Sequence, residues 1–145
     1  MIINDRIDIA LAVGADGVHL GQTDMPVEVA RKLLPTNAIV GISCSTREEV
    51  ERAVSAGADY VGIGPVYATF TKKVTTPLLG PRNLGDILAI LENTHVKSVA
   101  IGMVCQLFCS NVVSTCTQVE SNQRMQYALF SGPSRPLENR SMDLL

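Results

Sequence analysis

One short segment occurs twice in this chain and constrains its architecture more than anything else. Gly14-Ala15-Asp16-Gly17-Val18 and Gly57-Ala58-Asp59-Tyr60-Val61 share the same order of chemistry. In each, a stretch with helical spacing stops at a glycine, the residue that most readily takes the left-handed conformation closing a helix. Two residues cross over, and a short apolar run begins. A helix that hands over to a strand in this way, twice, is the mark of repeated strand–helix units and hence of a parallel sheet.

The rest of the chain follows the same grammar. The spacing predicts strands at about 1–4, 17–20, 38–42, 60–63 and 97–101. Residues 7–13 read as a short helix closed by Gly14. Pro26 suits a helix start, with Asp24 near the cap position. Val27, Ala30, Leu33 and Leu34 keep helical spacing until Pro35. Thr46-Arg47-Glu48-Glu49 fits a capping box, and Val50, Ala53 and Val54 face inward behind it. Leu84, Ile87, Leu88 and Leu91 define a further helix. The fold class is therefore α/β with helices between parallel strands. Periodicity leaves two arrangements open, a closed barrel or an open doubly wound sheet.

At 145 residues the chain is expected to hold one core. A net charge of -2 gives no basic footprint for nucleic acid. No apolar run is long enough for a membrane span, and no leader pattern opens the chain. Cys44, Cys105, Cys109 and Cys116 lack zinc-ligand spacing, so free thiols in a reducing, cytoplasmic setting are expected. After Gly102 the character changes. Residues 105–145 are rich in Ser, Gln, Asn and Arg without a sustained period, and read as a divergent, weakly structured tail behind a unit at 1–104. At most a short helix over 123–130 is expected there.

The polar residues share a position. Asn4, Asp5, Asp24, Ser43, Thr69, Thr71 and Lys72 all follow the C-terminal ends of expected strands. In parallel α/β folds those ends form the face where sites are built. The stretch from Gly62 to Lys73 is the densest: a buried strand, a Gly64-Pro65 turn, then two threonines and two lysines able to meet a phosphorylated ligand. Asp5 and Asp24 are oxygen donors of the kind Mg²⁺ takes alongside phosphate. Each has a plainer reading: Asp24 as a helix cap, Asp5 as a turn residue, Ser43 as a loop hydroxyl, Lys73 as a solvated ammonium. His19, between apolar neighbours, reads as a buried, hydrogen-bonded histidine, and His95 as a loop residue.

In order and spacing, Ile2-Ile3-Asn4-Asp5, Gly17-Val18-His19-Leu20-Gly21-Gln22-Thr23-Asp24, Gly41-Ile42-Ser43, Gly57-Ala58-Asp59-Tyr60-Val61-Gly62-Ile63-Gly64-Pro65-Val66 and Thr69-Phe70-Thr71-Lys72-Lys73 resemble thiamine phosphate synthase. The resemblance covers roughly 1–102. Around Thr76-Pro77-Leu78-Leu79-Gly80 it is most similar to fungal members fused to a hydroxyethylthiazole kinase. It implies a TIM-type (β/α)8 barrel, incomplete here, with about five parallel strands and helices outside. It implies a Mg²⁺-dependent transferase of thiamine biosynthesis, joining 4-amino-2-methyl-5-pyrimidinylmethyl diphosphate to hydroxyethylthiazole phosphate. The products would be thiamine phosphate and pyrophosphate. It places Asp5 and Asp24 on Mg²⁺ and makes Lys72 the catalytic cation. Asn4, Ser43 and Lys72 would contact the pyrimidine diphosphate, and Thr69, Phe70, Thr71 and Gly102 the thiazole phosphate. The implied partners are these small molecules, with neither nucleic acid nor membrane, and self-association stays open.

The chain departs from the family pattern in three places. The expected first two strands, with a Gln-x-Arg-x-Lys stretch, and the expected last strand have no counterpart. Gly102 is followed by Met103 where a second glycine is usual. The alternative reading is a truncated, non-catalytic partial barrel that retains phosphate binding at most. A related thiazole tautomerase is disfavoured by Asn4, Asp5, Asp24 and Lys72, since tautomerisation needs no diphosphate-bound metal.

Overall fold

The computed structural model describes residues 1–67, 77–102, 116–118 and 127–130. Strand β1 (Ile2–Asn4) leads to helix α1 (Ile7–Val13), then β2 (Gly17–Leu20) and α2 (Val27–Leu33). Next come β3 (Ile39–Cys44), α3 (Arg47–Ser55), β4 (Tyr60–Ile63), α4 (Gly80–Leu91) and β5 (Lys97–Ile101). The five strands pair in sequence order, each parallel to the next. No switch point reverses the order, as a doubly wound sheet would require.

One core settles the choice between the two arrangements. From the strands it takes Val18, Leu20, Val40, Cys44, Val61, Ile63 and Ala100, all on one face by the two-residue strand period. From the helices it takes Ile7, Ala10, Val27, Ala30, Val50, Ala53, Leu84, Ile87 and Leu91. All four helices therefore cover the same face. This is an incomplete barrel-like α/β arc with its helices outside, as the resemblance implied. The opposite face carries Gly17, His19, Gly41, Ser43, Tyr60, Gly62 and Val99.

The local signals act as their chemistry suggests. Gly14 and Gly57 take φ of 64° and 83°, and a Cβ at either would meet nothing within 4 Å. Conformation, not space, selects glycine there. Thr46 accepts the Glu49 amide while the Glu49 carboxylate accepts the Thr46 amide, the reciprocal box read from sequence. At the bottom of the arc, Asp59 accepts the Val40 amide at 2.7 Å and Arg31 at 2.6 Å.

Several expectations change. Strand β3 runs on to Cys44, so Ser43 lies within a strand and is not a loop hydroxyl. Helix α4 begins at Gly80, its first turn holding Pro81, whose missing N–H costs nothing there. Asp24 does not cap α2. Pro26 occupies the cap position without a side-chain bond, and Asp24 instead accepts the Gly21 amide at 2.6 Å.

The outer edge of β5 is not bare. Strand β7 (Tyr127–Phe130) pairs with it antiparallel, and β6 (Cys116–Gln118) pairs antiparallel with β7. The helix expected over 123–130 is thus replaced at 127–130 by a strand. An open parallel edge presents unmet N–H and C=O groups, and adding a strand satisfies them. No antiparallel pair occurs among the first five strands.

Candidate functional site

The ends of β1 and β2 bring two carboxylates to one depression. Asp5 follows β1 directly, with φ of 61°, a left-handed conformation that aspartate tolerates better than most residues. Its amide still donates to the His19 carbonyl at 2.9 Å, which continues the β1–β2 ladder and fixes where the chain turns. Asp24 lies on the loop after β2, held by its bond to the Gly21 amide. Both line a cavity of about 370 Å³ between α1 and α2, with Asp8 and the apolar Leu11, Met25 and Leu33.

Among the described residues no group of three or more His, Cys, Asp and Glu could enclose a metal ion. A pair of carboxylates on one open cavity is a different donor set. It suits Mg²⁺, which keeps water and phosphate oxygens in its shell and needs only one or two carboxylates. The residues present therefore fit such an ion.

Ser43 stands apart from that cavity, on the sheet face away from the helices. There Nε2 of His19 lies 2.9 Å from Ser43 Oγ, and Nδ1 lies 2.8 Å from Tyr60 Oη. The His19 and Tyr60 rings are tilted by 32° with centroids 5.3 Å apart. Burial lowers the His19 pKa, with the Asp5 carboxylate opposing in part, which favours the uncharged ring. Burial pushes the Tyr60 phenol up to about 12. Neither His19 nor Tyr60 was expected to join a site. The signal was available in parity: positions 19, 43 and 60 point to the same face of adjacent strands.

The strand ends at β4 and β5 are tied together. The amides of Val66 and Tyr67 donate to the carbonyls of Ile101 and Gly102, at 2.9 and 3.1 Å. The chain then returns at Leu79 and Gly80, whose amides donate to Pro65 and Val66. These bonds clamp the base of the connection from β4 to α4 and set Gly102 beside it. Gly102 takes φ of 94°, a conformation that favours glycine, and a Cβ there would also lie close to Tyr67 O, at 3.0 Å. Thr69, Phe70, Thr71 and Lys72 lie on that connection, outside the described residues. Asn4 is the last residue of β1, opposite His19 in register. The structure thus unites Asp5 with Asp24, and Ser43 with His19 and Tyr60, while Gly102 adjoins the base of the Thr/Lys connection.

Comparison with known proteins adds a family. Residues 1–115 match the family model described as thiamine monophosphate synthase, somewhat beyond the 1–102 expected. A thiamine-phosphate synthase of Clostridium novyi is 48% identical over 115 residues, which cover 79% of this chain and 55% of that protein. A Schizosaccharomyces pombe protein named as a probable thiamine biosynthetic bifunctional enzyme is 46% identical over 121 residues, covering 83% of this chain and 23% of that one. Among solved structures, a thiamine phosphate pyrophosphorylase from Pyrococcus furiosus is similar with a TM-score of 0.60 and 39% identity, covering 77% of this chain and 50% of its own. The chain spans about half the length of most such relatives, and less of the bifunctional one.

Proposed function

This chain belongs to the thiamine monophosphate synthase family, and from that premise we propose that it carries the diphosphate-handling part of a thiamine phosphate synthase. The reaction would join the pyrimidine methylene to the thiazole nitrogen as the bond to pyrophosphate breaks. The thiazole nitrogen supplies the electron pair, so no protein nucleophile is needed. The observation that carries this reading is positional. Asp5 and Asp24 follow β1 and β2, Ser43 lies near the C-terminal end of β3 and Gly102 follows β5, at the ends of parallel strands where barrel sites are built.

Asp5 and Asp24 would hold Mg²⁺, which when bound supplies positive charge to a diphosphate. Lys72 would place its ammonium against the departing pyrophosphate, where negative charge grows. Asn4 and Ser43 would orient the pyrimidine. Thr69, Phe70, Thr71 and Gly102 would hold the thiazole phosphate. The boundary near residue 104, with a divergent tail after it, belongs to the same proposal, as does kinship with the fungal bifunctional members.

The test is formation of thiamine phosphate from both substrates with Mg²⁺. The 145 residues are to be compared with a barrel completed by strands from a full-length relative. The described five-strand arc does not close a barrel, so the chain alone should turn over poorly. The completed barrel should be active, and Lys72→Ala in it should cost about a hundredfold or more, as loss of one preorganised donor does. A completed barrel without turnover would sink the reading. Ready turnover by the 145 residues would leave the synthase reading standing and overturn the need for closure.

A further inference from the structure

Among the described strands the sheet ends at β1 on one side and at β6 on the other. Beyond β5 the chain supplies its own antiparallel cover in β7 and β6. The outer side of β1 can be read from its bonds. The Met1 carbonyl accepts the Asp16 amide, and the Asp5 amide donates to the His19 carbonyl. Met1, Ile3 and Asp5 therefore turn their polar groups toward β2. Ile2 and Asn4, between them, turn theirs outward. The Asn4 carbonyl accepts the Arg6 amide at 2.6 Å and keeps a second lone pair. Ile2-Ile3-Asn4 holds neither lysine nor proline, the residues that commonly blunt an edge.

Helix α1 is one-sided in the same way. Its buried Ile7 and Ala10 hold the positions that buried Val27 and Ala30 hold in α2. Ile9 and Val13 are then the counterparts of Val29 and Leu33. Leu33 lines the groove between the two helices together with Leu11. The matching flank of α1 points past β1, away from α2. Ile9 is 40% exposed and Val13 54% exposed there. Ile3, beneath them, is partly buried against the core. An apolar flank thus runs alongside a strand edge with outward donors and acceptors.

We propose that this edge is an interface between two copies of the chain, related by a two-fold axis at Ile3. Antiparallel pairing about that axis sets Ile2 opposite the partner's Asn4. Facing residues of this parity exchange both backbone bonds, so the outward groups of Ile2 and Asn4 are all met. A register centred on Ile2 or on Asn4 leaves the other residue's groups unmet. Ile3 faces the partner's Ile3 on the helix side of the sheet. Helix α1 packs on both β1 and β2. It and the partner's α1 therefore lie two strand spacings apart, about 9–10 Å. Helices pack at that interaxial distance. Ile9 and Val13 meet the same pair on the partner, and a self-matching patch of this kind closes as a two-fold pair. The antiparallel pairing sends the two Asp5–Asp24 rims to opposite ends of the joined sheet, so the association is independent of the reaction proposed above.

Light scattering from the whole chain over a dilution series should give twice the single-chain mass of 15.5 kDa, falling to that mass on dilution. Val13→Lys alters an exposed residue. It should halve the mass at the higher concentrations and leave far-UV circular dichroism unchanged. Val29→Lys alters the matching position of α2, also exposed, and should keep the pair. Ile2→Pro removes an outward N–H but no bond to β2, and should separate the pair. If that variant does not fold, Val13→Lys decides. Ile3→Cys, with Cys105, Cys109 and Cys116 changed to serine, should cross-link under a mild oxidant, because directly facing residues lie within disulfide reach. A single-chain mass at every concentration overturns the proposal. So does a mass that climbs without stopping, the mark of head-to-tail growth between β1 and another surface. Separation of Val29→Lys as readily as Val13→Lys would move the contact to α2 and overturn it too. A pair seen by light scattering that Ile3→Cys cannot cross-link overturns the axis at Ile3.

Discussion

The Tyr60 ring occupies the volume that a side chain at residue 41 would need: a Cβ on Gly41 would stand 2.1 Å from Cζ and 2.6 Å from Oη. The two residues are register partners on β3 and β4, so the ring lies flat across its neighbour and reaches His19 beyond it. Glycine is selected here by space, in contrast to Gly14 and Gly57.

Gly41→Ala should therefore destabilise the chain by about 1–3 kcal/mol, the range for overpacking a site that cannot yield. It should also break the Tyr60–His19 bond. Gly85, inside α4, has nothing within 4 Å of an added Cβ. Gly85→Ala should instead stabilise by about 0.5–1 kcal/mol, since alanine loses less backbone freedom in a helix. Urea unfolding of both variants checks the contrast, and equal effects would show that contact with Tyr60 is not what matters.

Arg31 carries the second prediction. Its guanidinium donates to the Gly57 carbonyl at 2.9 and 2.7 Å, to the Ala38 carbonyl at 2.7 Å and to Asp59 at 2.6 Å. It thereby ties α2 to the turns that precede β3 and β4. Arg31→Ala leaves two carbonyls short of a donor and should lose about 2 kcal/mol, in the range for charged hydrogen bonds. Arg31→Lys should recover less than half of that, because one ammonium cannot reproduce a planar fork. Full recovery by lysine in a denaturant titration would mean that charge alone matters.

The buried His19–Tyr60 pair predicts two pH limits. Burial holds the folded His19 pKa below 6.5, so the unfolded chain binds the extra proton first. Stability from this group is complete above pH 6.5 and is lost as pH falls from there through the folded pKa. His19→Gln should flatten that part of the stability profile. Tyr60 works in the other direction. Its folded pKa of about 12 lies above the ordinary 10, so stability is lost as pH rises through that interval. Tyr60→Phe should remove the alkaline loss. Acid and alkaline limbs unchanged in both variants would remove the pair from the pH dependence.

Much of this was legible in local chemistry. The five parallel strands fall within a few residues of their expected bounds, because apolar runs punctuated by glycine and proline are strong short-range signals. The Thr46–Glu49 box is equally local. What stayed hidden depends on residues brought together from afar. His19 meets partners 41 and 24 positions away. Asp24 looked like a cap because it precedes Pro26, yet its carboxylate turned back to Gly21. Strand β7 exists against the edge of β5, and nothing in Tyr127-Ala128-Leu129-Phe130 alone announces that edge.

The last prediction concerns the two carboxylates. Asp24 has two duties, since its Oδ2 accepts the Gly21 amide while the side chain also faces the cavity shared with Asp5. Asp24→Asn separates them. An asparagine oxygen can still accept from Gly21, so the loop should hold and unfolding stability should change by no more than about 0.5 kcal/mol, the usual span for a surface substitution. The charge is gone, however, and a hard divalent cation depends on it. Mn²⁺, standing in for Mg²⁺ and followed by paramagnetic relaxation with pyrophosphate present, should bind the variant about tenfold more weakly, or about 1.4 kcal/mol. Asp5→Asn should weaken it similarly, and the double variant should weaken it further than either alone, since each carboxylate supplies charge to the cation. Asp24→Ala supplies the counter-test: it should lose the loop bond as well, lowering stability by about 1 kcal/mol. If Mn²⁺ binds the asparagine variants as tightly as the unaltered chain, Asp5 and Asp24 shape the rim of the arc without holding a metal.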